Sequence, residues 1–343
     1  MSEKNLRTTV IGSYPQPSWL VDHDVLKAKV VPRVRAHDIW RINREFLEEA
    51  QNDATLIAIR DQELAGVECI TDGEMRRESY SNRFATSLSG IDTSDPFIRK
   101  VEGYDIPMPR IIGPVRRNGP VEVDDLLFLK AHTDRLTKVT LPGPFTLSKQ
   151  ARDDYYGDPE AAATAYAEAI NEEMRDLEAS GADVIQLDEP WLRQDPDGAN
   201  RYGVKVINRA VEGINVTTAI HLCFGYGFIV SPAKPKAYTF LEQLADCNVE
   251  QISVEAAQPH LDLSVFSALA KKTIVFGVVD LSNNEVESLS VLTNRIRRAL
   301  PFISPERLIV APDCGMKYLT RDSAFHKLRL MVEAAAIVRR EVS

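Results

Sequence analysis

Cysteine is scarce in this chain, with four among 343 residues. That is too few for a disulfide framework, so each thiol reads as a core side chain, a metal ligand or a nucleophile. Positive charge is in deficit: 41 Lys and Arg face 50 Asp and Glu, a formal net charge of −9. A phosphate-backbone partner requires a basic face, so no nucleic acid and no anionic membrane is expected as a partner. No apolar run approaches the roughly 18 residues of a membrane span. Residues 1–9 are polar and lack the apolar stretch of a secretory signal. The expected location is cytoplasmic. Low-complexity tracts and long Gly/Ser or Pro-rich linkers are also missing.

What is present is an apolar fraction of 44% against 27% charged, the balance of a globular chain able to bury one large core. Short β-rich runs alternate with longer segments of helical period, which predicts βα units and a parallel sheet. Eight runs qualify as strands: 7–13, 67–72, 137–142, 182–188, 216–223, 250–255, 273–280 and 307–313. Between the third and fourth, Tyr166, Ile170, Met174 and Leu177 mark one helical face. Residues 39–65 and 320–342 read as helices on similar grounds. The expected fold is a single α/β domain over 1–343, a (β/α)8 TIM barrel, with a doubly wound open sheet as the competitor. Residues 94–125 carry five prolines among β-branched residues and read as an inserted hairpin or lid after the second βα unit.

Chemistry in a parallel barrel gathers at the C-terminal strand ends. Here nearly every run ends in a polar or special residue: Ser13, Asp72 to Glu74, Asp188, His221 with Cys223, Glu255, Asp280, and Asp313 with Cys314. His221 and Cys223 stand two apart on one strand and so share a side. Cys314 sits in a turn-forming context. A carboxylate at Glu255 is costly to bury without a partner. One His, two Cys and one Glu make a four-coordinate set suited to zinc, and the sulfurs disfavour magnesium and calcium. The competing reading is two unrelated buried thiols. Cys69 reads as core. Glu74 and Asp188 have two readings as well. Each caps a helix or pairs with a nearby Arg, or the two clamp the ammonium of an amino-acid substrate whose carboxylate meets the Gly12-Ser13 turn.

These residues carry a resemblance. The segments IGSYPQP (11–17), DGE (72–74), LPGPFT (141–146), QLDEP (186–190), HLCFGYG (221–227), ISVE (252–255) and PDCG (312–315) resemble the catalytic barrel of cobalamin-independent methionine synthases. The resemblance implies a zinc-dependent S-methyltransferase of methionine biosynthesis that methylates homocysteine. It implies Zn2+ on His221, Cys223, Glu255 and Cys314, and homocysteine contacts at Ile11, Gly12, Ser13, Glu74 and Asp188. The donor half departs from the family. Its folate-stacking Trp is missing from the run 146–149, Gln194 replaces a folate-contacting Glu, and Asp280 is followed by Leu281-Ser282 where a proton-donor His would stand. The chain is more similar to the short, folate-independent core enzymes. A corrinoid-type donor, methylcobalamin or a corrinoid protein, is the favoured expectation over polyglutamyl methyl-folate. Tyr14, Phe145, Tyr226 and Phe228 are candidates either for an apolar donor mouth or for the core. The runner-up function is another zinc-thiol alkyltransferase, such as an epoxyalkane:coenzyme M transferase. A non-catalytic zinc-binding regulatory barrel is the alternative of another class.

Overall fold

The computed structural model describes residues 5–101, 104–224, 238, 240–259 and 261–342. Seven strands form one all-parallel sheet: β1 (Cys69–Ile70), β4 (Leu136–Pro142), β6 (Val184–Asp188), β7 (Thr217–Leu222), β8 (Gln251–Val254), β9 (Thr273–Val279) and β10 (Leu308–Pro312). The extended stretch near the N-terminus joins the two edges of this sheet. Thr8 bridges Val310 on β10 and Thr9 bridges Cys69 on β1, both in parallel. The Thr9 and Val310 N–H groups donate to Val310 O and Arg7 O at 3.0 and 2.8 Å. The sheet thereby curls on itself as a TIM-barrel-like α/β fold.

The first strand makes only these bridges because the chain then leaves the ladder. Tyr14 N donates to Gly73 O at 3.0 Å, and Met316 N donates to Ser13 O at 2.8 Å. β4 and β6 end where expected, at Pro142 and Asp188, whereas β1, β7, β8, β9 and β10 stop one or two residues short. Cys223, Glu255 and Cys314 lie just past β7, β8 and β10, on the C-terminal rim.

The helix Pro159–Ala179 starts with Pro in its first turn and an Asp158 cap that accepts from Glu160 N. It buries Tyr166, Ile170, Met174 and Leu177 completely. The helix Leu47–Ala65 begins eight residues later than the expected 39, because residues 37–46 are taken up partly by short 3-10 turns. It ends at Gly66, whose φ of 87° suits glycine. The last helix is Arg321–Val342.

The insertion is an antiparallel hairpin of β2 (Ser89–Val101) and β3 (Tyr104–Arg116), with β5 (Arg152–Asp153) parallel to β3. Its prolines are tolerated in a ribbon whose register is already irregular between Asp92 and Phe97. Residues 121–125, expected within the insertion, instead lead into the helix Val123–Ala131. The Glu173 carboxylate accepts from Val121 N and Glu122 N and fixes that entry.

Candidate active site

Register sets the first row of the site. Asp188 on β6 pairs with His221 on β7, and His221 pairs with Ser253 on β8. Their side chains therefore emerge level with one another. Ser253 Oγ lies 2.9 Å from His221 Nδ1, which leaves Nε2 as the nitrogen a cation would take.

One strand-end turn later, the donor atoms of His221, Cys223, Glu255 and Cys314 all lie within 4.8 Å of one another. The two cysteine sulfurs are 3.1 Å apart. Phe224 N donates to Glu255 Oε1 at 2.8 Å. Tyr238 ties the two strands together: its hydroxyl accepts from Glu255 N at 2.8 Å and donates to Leu222 O at 3.0 Å. Thiolate, imidazole and carboxylate donors converging on one point fit zinc by number and softness.

Asp313, fully buried, organises the loop after Glu255. Its carboxylate accepts from Ala256 N, Ala257 N and Gln258 N at 3.0, 2.9 and 2.8 Å. Neighbouring Cys314 is thus held against the segment that carries Glu255.

Beside the donor cluster opens a cleft lined by Ile11, Gly12, Ser13, Glu74 and Asp188 together with His221, Cys223 and Cys314. The two motifs LPGP and DEP explain each other across its wall. Glu189 accepts from Phe145 N and Thr146 N at 2.9 and 2.8 Å and caps the short helix there. A β-carbon on residue 143 would meet Glu189 at 2.2 Å, so only glycine fits.

The acids at the floor are buried. Glu74 adopts φ 56°, a left-handed conformation that costs a non-glycine residue about 1–2 kcal/mol. This geometry brings Oε1 within 3.2 Å of Thr140 Oγ1. Burial pushes the Glu74 carboxyl up, against the pull of Arg77 and Lys317. Burial and then the Glu74 charge push Asp188 up to about 8. Gln186 Nε2 donates both to Asp188 Oδ1 at 2.8 Å and to Ile11 O at 3.0 Å, linking the two sides of the floor. Ser13 Oγ and Glu74 Oε2 are buried without a hydrogen-bond partner among the described residues. Buried polar atoms of this kind are prepared for a polar ligand.

The four aromatic candidates divide. Tyr14 and Phe145 are core residues: Tyr14 donates to Asp61 at 3.1 Å, and Phe145 packs on Tyr202. Tyr226 and Phe228 lie outside the described residues. Tyr80, Trp191 and Phe224 line the cleft instead, along with Gln194. Sequence reasoning also passed over Ser253, although it stands two residues before Glu255 and so shares its side of the strand. Tyr238 carried no signal at all. Cys69 is buried in the barrel, as expected.

Fold and cleft together define a barrel enzyme with a metal-type donor cluster at its C-terminal rim. Residues 6–337 match the family described as cobalamin-independent synthase, catalytic domain. The methionine synthase of Sulfurisphaera tokodaii is 34% identical over 98% of this chain and 94% of its own length. That of Thermococcus kodakarensis is 33% identical over 98% and 95%. The B12-independent methionine synthase from Shewanella sp. W3-18-1, solved in complex with selenomethionine, superposes with a TM-score of 0.88 at 31% identity, covering 98% of each chain. The chain belongs to the cobalamin-independent methionine synthase family and is a methyltransferase. Among the described residues no helix is long and apolar enough to cross a membrane.

Proposed function

We propose that this protein methylates the sulfur of homocysteine to give methionine, with zinc held by His221, Cys223, Glu255 and Cys314. The observation that carries the reading is the sharing of one cleft by the four-donor cluster and by Ser13, Glu74 and Asp188. The Shewanella relative was solved in complex with selenomethionine, the selenium counterpart of methionine, which supports an amino-acid ligand.

A zinc ion bound here would supply the Lewis acidity that lowers the pKa of an approaching thiol from about 8.5. The chain's own residues do the rest. Glu74 and Asp188 hold the substrate ammonium at the floor. The Ile11–Gly12–Ser13 turn meets its carboxylate with the Ser13 hydroxyl and backbone N–H groups. Holding both groups on the α-carbon aims the sulfur at the far end of the side chain toward the donor cluster, and orientation of that kind removes much of the barrier to bimolecular transfer. Burial of both acids keeps water from competing for the ammonium. Two acids can ionise against an ammonium and gain no such partner from a sulfonate, which separates this reading from a coenzyme M acceptor.

The methyl donor enters through the mouth. The family and the Shewanella relative are described as cobalamin- and B12-independent, which argues against the corrinoid donor expected from the sequence. The exposed Gln194 at the rim and the absent stacking Trp support a donor other than polyglutamyl methyl-folate. Zinc-loaded protein with homocysteine, offered methylcobalamin and mono- or polyglutamyl methyl-folate in turn, tests both parts. Methionine formed with polyglutamyl methyl-folate overturns the donor reading, and a purified protein that binds no homocysteine overturns the acceptor reading.

A further inference from the structure

One loop touches both halves of the amino-acid site at the floor. It leaves β10 at Cys314 and runs on through Met316 and Lys317. Met316 N donates to Ser13 O at 2.8 Å. Lys317 Nζ donates to Arg77 O, also at 2.8 Å. Arg77 is the last residue of the turn that opens with Glu74, closed by Arg77 N on Glu74 O at 3.0 Å. Consecutive residues just past Cys314 therefore hold the Ser13 turn and the Glu74 turn.

Lys317 makes its tie at a cost in stability. It is 1% exposed, and among the described residues its ammonium forms no ion pair. Burial pulls it down to about 8, and the charges of Glu74 and Glu78 resist the fall. A buried cation with a carbonyl as its partner is destabilising on its own account. Nor does the carbonyl need it, because Gln16 Nε2 already donates to Arg77 O at 3.1 Å and to Met75 O at 3.1 Å. What the lysine adds is the connection. Glu74 stands at φ 56°, a conformation that a non-glycine residue keeps only where its surroundings impose it. Lys317 imposes it from 240 residues beyond Arg77 in the sequence.

We propose that Lys317 is a positioning residue for the amino-acid substrate. By holding Arg77 O it fixes the Glu74 carboxylate against the substrate ammonium, and it ties that contact to the loop of Cys314. Lys317 is not among the residues that line the cleft, so it acts through Glu74. The inference rests on the homocysteine reading and adds the residue that sets the ammonium contact.

The test compares two thiols by calorimetry on the zinc-loaded protein. One is homocysteine. The other is 4-mercaptobutanoate, which keeps the thiol, the chain length and the carboxylate but lacks the amino group. In Lys317→Met the Kd of homocysteine should rise about tenfold, while that of 4-mercaptobutanoate stays within about twofold. Zinc content should match the wild type. The melting temperature should hold or rise, since an apolar side chain of similar length replaces a buried charge and Gln16 still serves Arg77 O. Lys317→Gln, one bond shorter and out of reach of Arg77 O, should show the same selective loss, and it carries the test if the methionine variant does not fold. Homocysteine affinity unchanged in the variants overturns the proposal, and so does an equal loss for both thiols. Failure of both variants to fold also overturns it, by making Lys317 a residue of stability. A wild-type protein that binds no homocysteine is a different result: it overturns the acceptor reading and this inference with it.

Discussion

Gly277 faces Asp313 so closely that a β-carbon on it would lie 2.2 Å from the Asp313 carboxylate and 2.8 Å from its Cα. The glycine on β9 is thus what allows Asp313 to gather the N–H groups that follow Glu255. Since the clash includes backbone, it cannot be relieved by turning a side chain. Gly277→Ala should destabilise the protein by about 3 kcal/mol and lower its zinc content. A thermal melt and metal analysis on the purified variant check both, and a wild-type zinc content would remove Asp313 from the account.

The contrast is Gly12, where a β-carbon would lie 2.4 Å from Glu74 Oε1, the end of a side chain. Gly12→Ala should cost only about 1 kcal/mol of stability. The homocysteine KM should rise about tenfold as the carboxylate is displaced. Unchanged KM would show that Glu74 does not meet the substrate.

Ser253 anchors His221 Nδ1 at 2.9 Å. Ser253→Ala should weaken zinc affinity by about 10- to 100-fold, the usual effect of losing the group that orients a ligating imidazole. Competition with a chromogenic chelator measures it. Equal affinities in the two proteins would mean that the imidazole is held by packing alone.

Burial raises Asp188 to about 8, well above its value in an unfolded chain. The protonated form is therefore favoured by folding, and that contribution is lost as pH rises through about 8. Wild-type thermal stability should fall relative to Asp188→Asn between about pH 6 and pH 9. Homocysteine binding should move the other way, tightening over the same range as the carboxylate ionises, and Asp188→Asn should flatten that rise. Parallel melts and binding titrations across pH decide it.

Much of this was legible in the sequence, for physical reasons that differ from place to place. The four donor residues could be read because strand parity puts His221 and Cys223 on one side, and because strand ends in a parallel barrel share a rim. Tyr166 to Leu177 could be read because a buried helical face repeats every three to four residues. The first strand was read as longer than its ladder, since nothing local announces that Ser13 and Tyr14 turn to pair with Met316 and Gly73. The insertion's end was misplaced because the helix Val123–Ala131 is fixed by Glu173, some 50 residues away. The mouth was illegible for the same reason: Tyr80, Trp191 and Phe224 meet only in the folded chain.

The most direct measurement is X-ray absorption at the zinc edge of the purified, metal-loaded protein. A first shell with two sulfur and two nitrogen or oxygen donors is predicted, from Cys223, Cys314, His221 and Glu255. A shell without sulfur, or one unchanged in C223S/C314S, would contradict the account.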